Sequence, residues 1–429
     1  MQNSIYIRDR ISDVYALIAC LILQLVLSLI FQQFVDIEIV SLLFVFVSLL
    51  TCIICILNGE KQIAFIVITG FVIRILFMIF DNYSLALSNF NGDSLGYYST
   101  AELLAQDSNI SYVYGGLYSK LLGVVLKCAG TSRCVAESFN IVIGIAFILT
   151  VYACSTQLEF LYTTKRITVL IATFFPYAIY NSVVTYREGI IMFLCLLSFY
   201  YLIRWIKSGG ILWAVLSLAV SSAACAFHAG VVALPIGFSV IFAFYDVNKE
   251  RMTFRKNSFF MLLMILSFAG VIVVRYPDIF LGKLLSGFED SGNIITHFNY
   301  SYGGSRYLAW INANSLFQVV LFSPLKAFYF AFSPLPLNWR GISDILAFLV
   351  DSFFYIFFFC YFIKNRKFLR DYEFFRIIFL VIVATFFIFG IGTWTAGTAM
   401  RHRCKVIGLI ILLFGKLIDD KEKSALDHF

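Results

Sequence analysis

Arg187 and Glu188 open an apolar run that ends near Arg204, and after a turn at 205–210 a second apolar run ends in Phe227-His228-Ala229-Gly230. As helices, each run approaches the length of a bilayer core, at ~1.5 Å per residue against ~30 Å. A hairpin of two such helices returns its outer ends to one membrane face, which predicts that Arg187, Glu188 and His228 lie near one another. Their chemistry suits phosphate and hydroxyl groups. A guanidinium binds phosphate oxygens bidentately, and a helix N-terminus favours anions. An imidazole, with an unperturbed pKa of about 6.5, transfers a proton or hydrogen-bonds near neutrality. The plainer readings are an Arg187–Glu188 interfacial anchor and a histidine satisfied within the core.

Further candidates follow the same logic. Arg401-His402-Arg403 enters the last apolar run after the loop at 392–398. Basic residues on the outer side oppose the positive-inside bias, and a bound polyanion offsets them, with a structural ion pair as the alternative. Arg306 and Arg340 are weaker candidates of this kind. Arg74 lies within an apolar run, so it binds phosphate or snorkels to the interface. Asp93, in Asn91-Gly92-Asp93-Ser94 with Tyr97 one turn on, is the best candidate carboxylate, or else the cap of a loop helix. Tyrosines such as Tyr97 offer faces for sugar rings. Cys52 and Cys55 form a CxxC inside an apolar run without a second pair, so core packing is expected and no metal or cofactor is assigned.

The elements that position these residues are membrane helices. Of the 429 residues, 61% are hydrophobic and 13% charged, against ~25% charged in soluble domains. This predicts one all-α polytopic membrane domain over 1–429, with membrane lipids as its surroundings, no cleavable signal and no nucleic-acid partner despite the net charge of +7. Twelve crossings are expected, at 14–34, 39–57, 62–80, 136–155, 167–184, 189–205, 211–227, 230–246, 258–274, 342–363, 376–392 and 404–418. Both termini then lie inside. The stretches 113–134 and 316–334 are expected to be interfacial or re-entrant helices on the outer face, within outer loops 81–134 and 275–340. A full crossing at either would put basic loops outside.

The Arg187-Glu188 pair, followed about forty residues later by Phe227-His228-Ala229, resembles the EpsG-type and Wzy-type polysaccharide polymerases of bacterial surface-glycan assembly. The likeness extends loosely to the loop around Asp93 and to Gly397–Arg403. The Gly-flanked Asp93 with its tyrosines also looks like the first outer loop of GT-C-type glycosyltransferases. The resemblance implies a GT-C-like fold in the inner membrane, with a periplasm-facing site that joins undecaprenyl-diphosphate-linked oligosaccharide repeat units. A chain-length regulator protein is an implied partner. Asp93, His228 and Glu188 are the catalytic candidates. Arg187, Arg401, His402, Arg403, Arg74, Arg306, Arg340 and Tyr97 are candidates for binding substrate or diphosphate. Two alternatives stay open: a GT-C transferase using a polyprenyl-phosphate sugar, and a flippase or transporter of lipid-linked oligosaccharide.

Overall fold

The computed structural model describes residues 35–85, 92–107, 113–253 and 303–426, together with isolated positions elsewhere. The expected crossings at 14–34 and 258–274, and the loop beyond the second of them, fall almost wholly outside the described residues. The described chain is helical apart from one two-stranded ribbon, Tyr245–Asp246 with Arg251–Met252. Six of its helices are long and apolar enough to cross a membrane. They are α1 (Ile37–Ile56), α2 (Lys61–Phe80), α5 (Arg133–Gln157), α8 (Glu188–Ser208), α12 (Ile342–Lys364) and α13 (Glu373–Gly392). This is an all-α membrane architecture.

The other helices are shorter. Between α2 and α5 lie α3 (Gly92–Gln106) and α4 (Leu117–Ala129). The expected crossing at 167–184 is divided, because Phe175-Pro176 breaks it into α6 (Tyr162–Phe174) and α7 (Pro176–Asn181). Proline has no N–H to continue a helix, and it disfavours the α conformation in the residue before it. Next come α9 (Ile211–Phe227), α10 (Ala233–Phe244) and α11 (Leu316–Phe332). After α13, α14 (Ala396–Arg403) passes through a 3-10 turn at Cys404–Val406 into α15 (Ile407–Leu426).

Two compact units form. The first comprises Met1–Leu149, Val169–Phe174 and Ala178–Gly189; the second comprises Thr150–Thr168, Phe175–Tyr177 and Ile190–Phe429.

In the first unit, α3 and α4 pack as a hairpin. Buried Tyr118, Ser119, Leu122, Gly123 and Leu126 line one face of α4, while Lys120, Val124 and Lys127 face outward. That is the one-sided pattern of a helix lying on a surface. Thirteen residues extend only ~20 Å, short of a bilayer core. Gly123 permits the contact, since a β-carbon there would stand 3.1 Å from the Ala101 carbonyl and 2.9 Å from Leu104 Cβ. Gly115 has φ +84°, and a β-carbon on it would stand 2.4 Å from the Tyr97 ring.

In the second unit, α11 packs on α13, with the bare backbone of Gly390 against Ala327. The turn of α12 at Phe348–Ser352 is a π turn, a wider form usually seen as a single turn within an α-helix. It carries Asp351 and Ser352, both buried.

Candidate functional site

The first unit assembles the Asp93–Tyr97–Arg187 group. Asp93 stands in the first turn of α3 and its carboxylate accepts a hydrogen bond from the Tyr114 hydroxyl. One turn on, Tyr97 is buried, with its ring centroid 5.3 Å from Tyr114 and 5.6 Å from Tyr118. The Arg187 guanidinium lies 5.7 Å from the Tyr97 centroid, a cation–π contact that ties the Arg-Glu motif to the loop helix.

Arg187 is delivered by 182–186, an irregular segment whose backbone groups need partners once buried. Asn140 of α5 supplies them, donating to the carbonyls of Val184 and Tyr186. Its amide oxygen accepts from the Tyr118 hydroxyl at 3.0 Å. Thr185 and Ser94 share a 2.7 Å hydroxyl contact, and the Thr185 hydroxyl also reaches the Ser94 carbonyl at 3.1 Å. Burial pushes the Tyr118 phenol up, so it stays a donor. Glu188 is fully buried at the start of α8.

Arg74 neither snorkels nor reaches the surface. It is fully buried in the first unit, donating to Ser182 Oγ at 2.8 Å and to the carbonyls of Gly70 at 3.0 Å and Thr173 at 3.2 Å. It therefore braces the segment that presents Arg187. Sequence reasoning also passed over a group of charges in this unit. Arg133 pairs with Asp81 and, at 2.9 Å, with Glu137, both fully buried, and Asn82 donates to Glu137 at 2.7 Å. The signal available was the i,i+4 Arg133/Glu137 pair at a helix start.

His228 and His402 belong to the second unit. His228 leaves α9 with extended backbone (φ −162°), and its Nδ1 accepts from the Gly230 N–H at 3.1 Å. Phe389 packs against Gly230, and its ring would be 2.5 Å from a β-carbon there. The rings of His228, Phe389 and His402 form a triangle, with centroids 5.0, 5.0 and 4.9 Å apart. Buried Lys405 stands 2.9 Å from His402 Nδ1 and 4.7 Å from the Phe389 centroid.

Which of Lys405 and His402 donates in that contact follows from the imidazole tautomer. The Gly230 N–H at His228 Nδ1 places the proton of a neutral His228 ring on Nε2. Lys405 was missed because it reads as part of a basic helix end; its signal is a lysine followed at once by a long apolar run. Arg401 is half-buried on α14.

Arg403 is an internal ion-pair residue. Its five N–H groups go to Asp351 (twice), Ser352 Oγ and the carbonyls of Phe330 and Ala331, which leaves none for a diphosphate. Arg340 makes a two-point pair with Asp344, at 2.8 and 2.7 Å, which pushes its guanidinium further up. Arg306 is exposed, in a backbone bridge with Thr395. Lys326 is another missed polar side chain. It is buried, donating to the carbonyls of Ile391 at 2.6 Å and Phe298 at 3.3 Å, with the Trp394 centroid 3.4 Å away.

Compared with protein-family models, with curated proteins and with solved structures, the chain matches none of them.

Proposed function

We propose that the chain is an integral-membrane glycosyltransferase that polymerises a bacterial surface polysaccharide, joining undecaprenyl-diphosphate-linked repeat units at the outer face of the inner membrane. The observation that carries this reading is the His228–Phe389–His402 triangle with Lys405, which gathers two imidazoles and an amine in one unit. A departing diphosphate needs such a group: preorganised donors and positive charge, in a medium where both act more strongly than in water.

In the reaction, the acceptor hydroxyl oxygen forms a bond to the donor's anomeric carbon. The bond from that carbon to the diphosphate oxygen breaks, and the hydroxyl proton passes to a base. Each unit holds a candidate for that role: the Asp93 carboxylate, oriented by Tyr114, in the first, and an imidazole in the second. Tyr97 and Tyr114 offer aromatic faces to a sugar ring, and Arg187 adds positive charge in the same unit.

The test is chain lengthening by the purified, full-length protein supplied with a lipid-linked repeat unit. The expected product is a ladder, with His402→Ala and Asp93→Asn collapsing it to the single-unit band at normal protein yield. Transfer of one sugar from a polyprenyl-phosphate donor would replace this reading with the monosaccharide transferase. Movement of lipid-linked substrate across a vesicle membrane without lengthening would replace it with the transporter.

A further inference from the structure

A second polar feature of the second unit lies apart from the imidazoles in sequence. Ser305, Tyr307, Ser333, Asn338, Arg340 and Asp344 line a cleft with a cavity of about 10 Å³, room for one water-sized group. Two of the lining residues carry a buried side-chain atom without a hydrogen-bond partner: Ser333, 1% exposed, at Oγ, and Asn338 at Oδ1. Unsatisfied buried polar atoms are uncommon, and each costs free energy while it stays so. The two are complementary. The serine hydroxyl donates and the amide oxygen only accepts, so one group that both accepts and donates satisfies both.

Arg340 sits at the rim with its side chain about half exposed, and the two-point pair with Asp344 neutralises its charge. That pair disfavours an anion, and the cavity is too small for a phosphate or a carboxylate.

We infer that this cleft is a hydroxyl-reading subsite for a neutral saccharide. One sugar hydroxyl enters it, accepting from Ser333 and donating to Asn338, while the Arg340–Asp344 pair faces the neighbouring hydroxyls. Assigning that sugar to the lipid-linked substrate rests on the polymerase reading; the hydroxyl chemistry does not.

Trp339 provides a reporter, because its Nε1–H donates to the Pro334 carbonyl at 3.3 Å and its ring lies 5.4 Å from Phe348. The full-length protein in lipid nanodiscs is titrated with the methyl glycosides of glucose, galactose and N-acetylglucosamine while tryptophan emission is followed. The expected result is a saturable change with at least one of them, lost in Trp339→Phe. Ser333→Ala should weaken that Kd about five- to tenfold, as removal of one hydrogen bond does, and Asn338→Leu should do the same independently.

No saturable change with any glycoside, or an unchanged Kd in both variants, would mean an ordered water only and would overturn the subsite. Binding that persists in a protein unable to build a glycan ladder upholds the subsite and sinks the polymerase. A full ladder from a protein that binds none of the glycosides does the reverse.

Discussion

Among the described residues each unit buries one arginine completely, and the two are stabilised in opposite ways. Arg403 meets a carboxylate, Asp351, and spends all five of its N–H groups on protein oxygens. Arg74 is solvated by one hydroxyl and two carbonyls, its Nη2 has no partner, and among the described residues no carboxylate pairs with it. A buried charge must be paired or heavily hydrogen-bonded. The pair in the second unit is an ionic lock, whereas Arg74 is a cation held only by dipoles. Losing half of a lock strands a charge; losing a cation among dipoles strands only neutral groups.

The largest effect should come from Arg403→Ala, which leaves Asp351 buried and alone. Breaking one side of a buried pair costs about 3–5 kcal/mol. SDS titration of the protein in mixed micelles should therefore show an early unfolding midpoint, with reduced abundance in the membrane. Arg74→Met should cost about 1–2 kcal/mol in the same titration, because only Ser182 and carbonyl oxygens lose a donor. A loss equal to that of Arg403→Ala would mean that Arg74 has a counter-charge, and the contrast would be gone. Ser182→Ala removes one hydrogen bond to Arg74 and should cost about 1 kcal/mol. The smallest effect is expected from the double variant Arg403→Met with Asp351→Leu, within about 1 kcal/mol of the parent, because both charges leave together. A double variant as unstable as Arg403→Ala would show that the lock supplies shape that apolar side chains cannot.

Sequence reasoning recovered what depends on long local patterns. Apolar runs of about twenty residues mark α1, α2, α5, α8, α12 and α13. The charge of the following loop marked 113–134, which holds α4, as short of a full crossing, and one reading of Asp93 was the cap of a loop helix. The expectation of one unbroken helix over 167–184 missed the break at Pro176, which hydropathy does not register. Long-range pairing was out of reach. Arg403 and Asp351 are 52 positions apart, and nothing local tells an arginine that binds a ligand from one that binds a carboxylate. The signal was there on the other side, since Asp351 is an acid in the middle of an apolar run, and such residues seldom lack a partner. Of the site, the Asp93–Tyr97 spacing and the two histidines were legible. The Lys405–His402 contact and the Nδ1 bond that sets the His228 tautomer were not, because both depend on where a ring turns.

The π turn at Phe348–Ser352 also makes α12 sensitive to chain length. One residue corresponds to about 100° of rotation in an α-helix. Deleting Val350 would let the turn relax to ordinary α geometry, and because a π turn absorbs its extra residue, Tyr355, Phe358 and Phe362 would keep their angular phase. Asp351, inside the turn, would move away from Arg403. A helix of this kind tolerates replacement of the exposed Val350 side chain far better than loss of the position itself. The extra residue acts as a spacer, setting the position of the carboxylate in the lock.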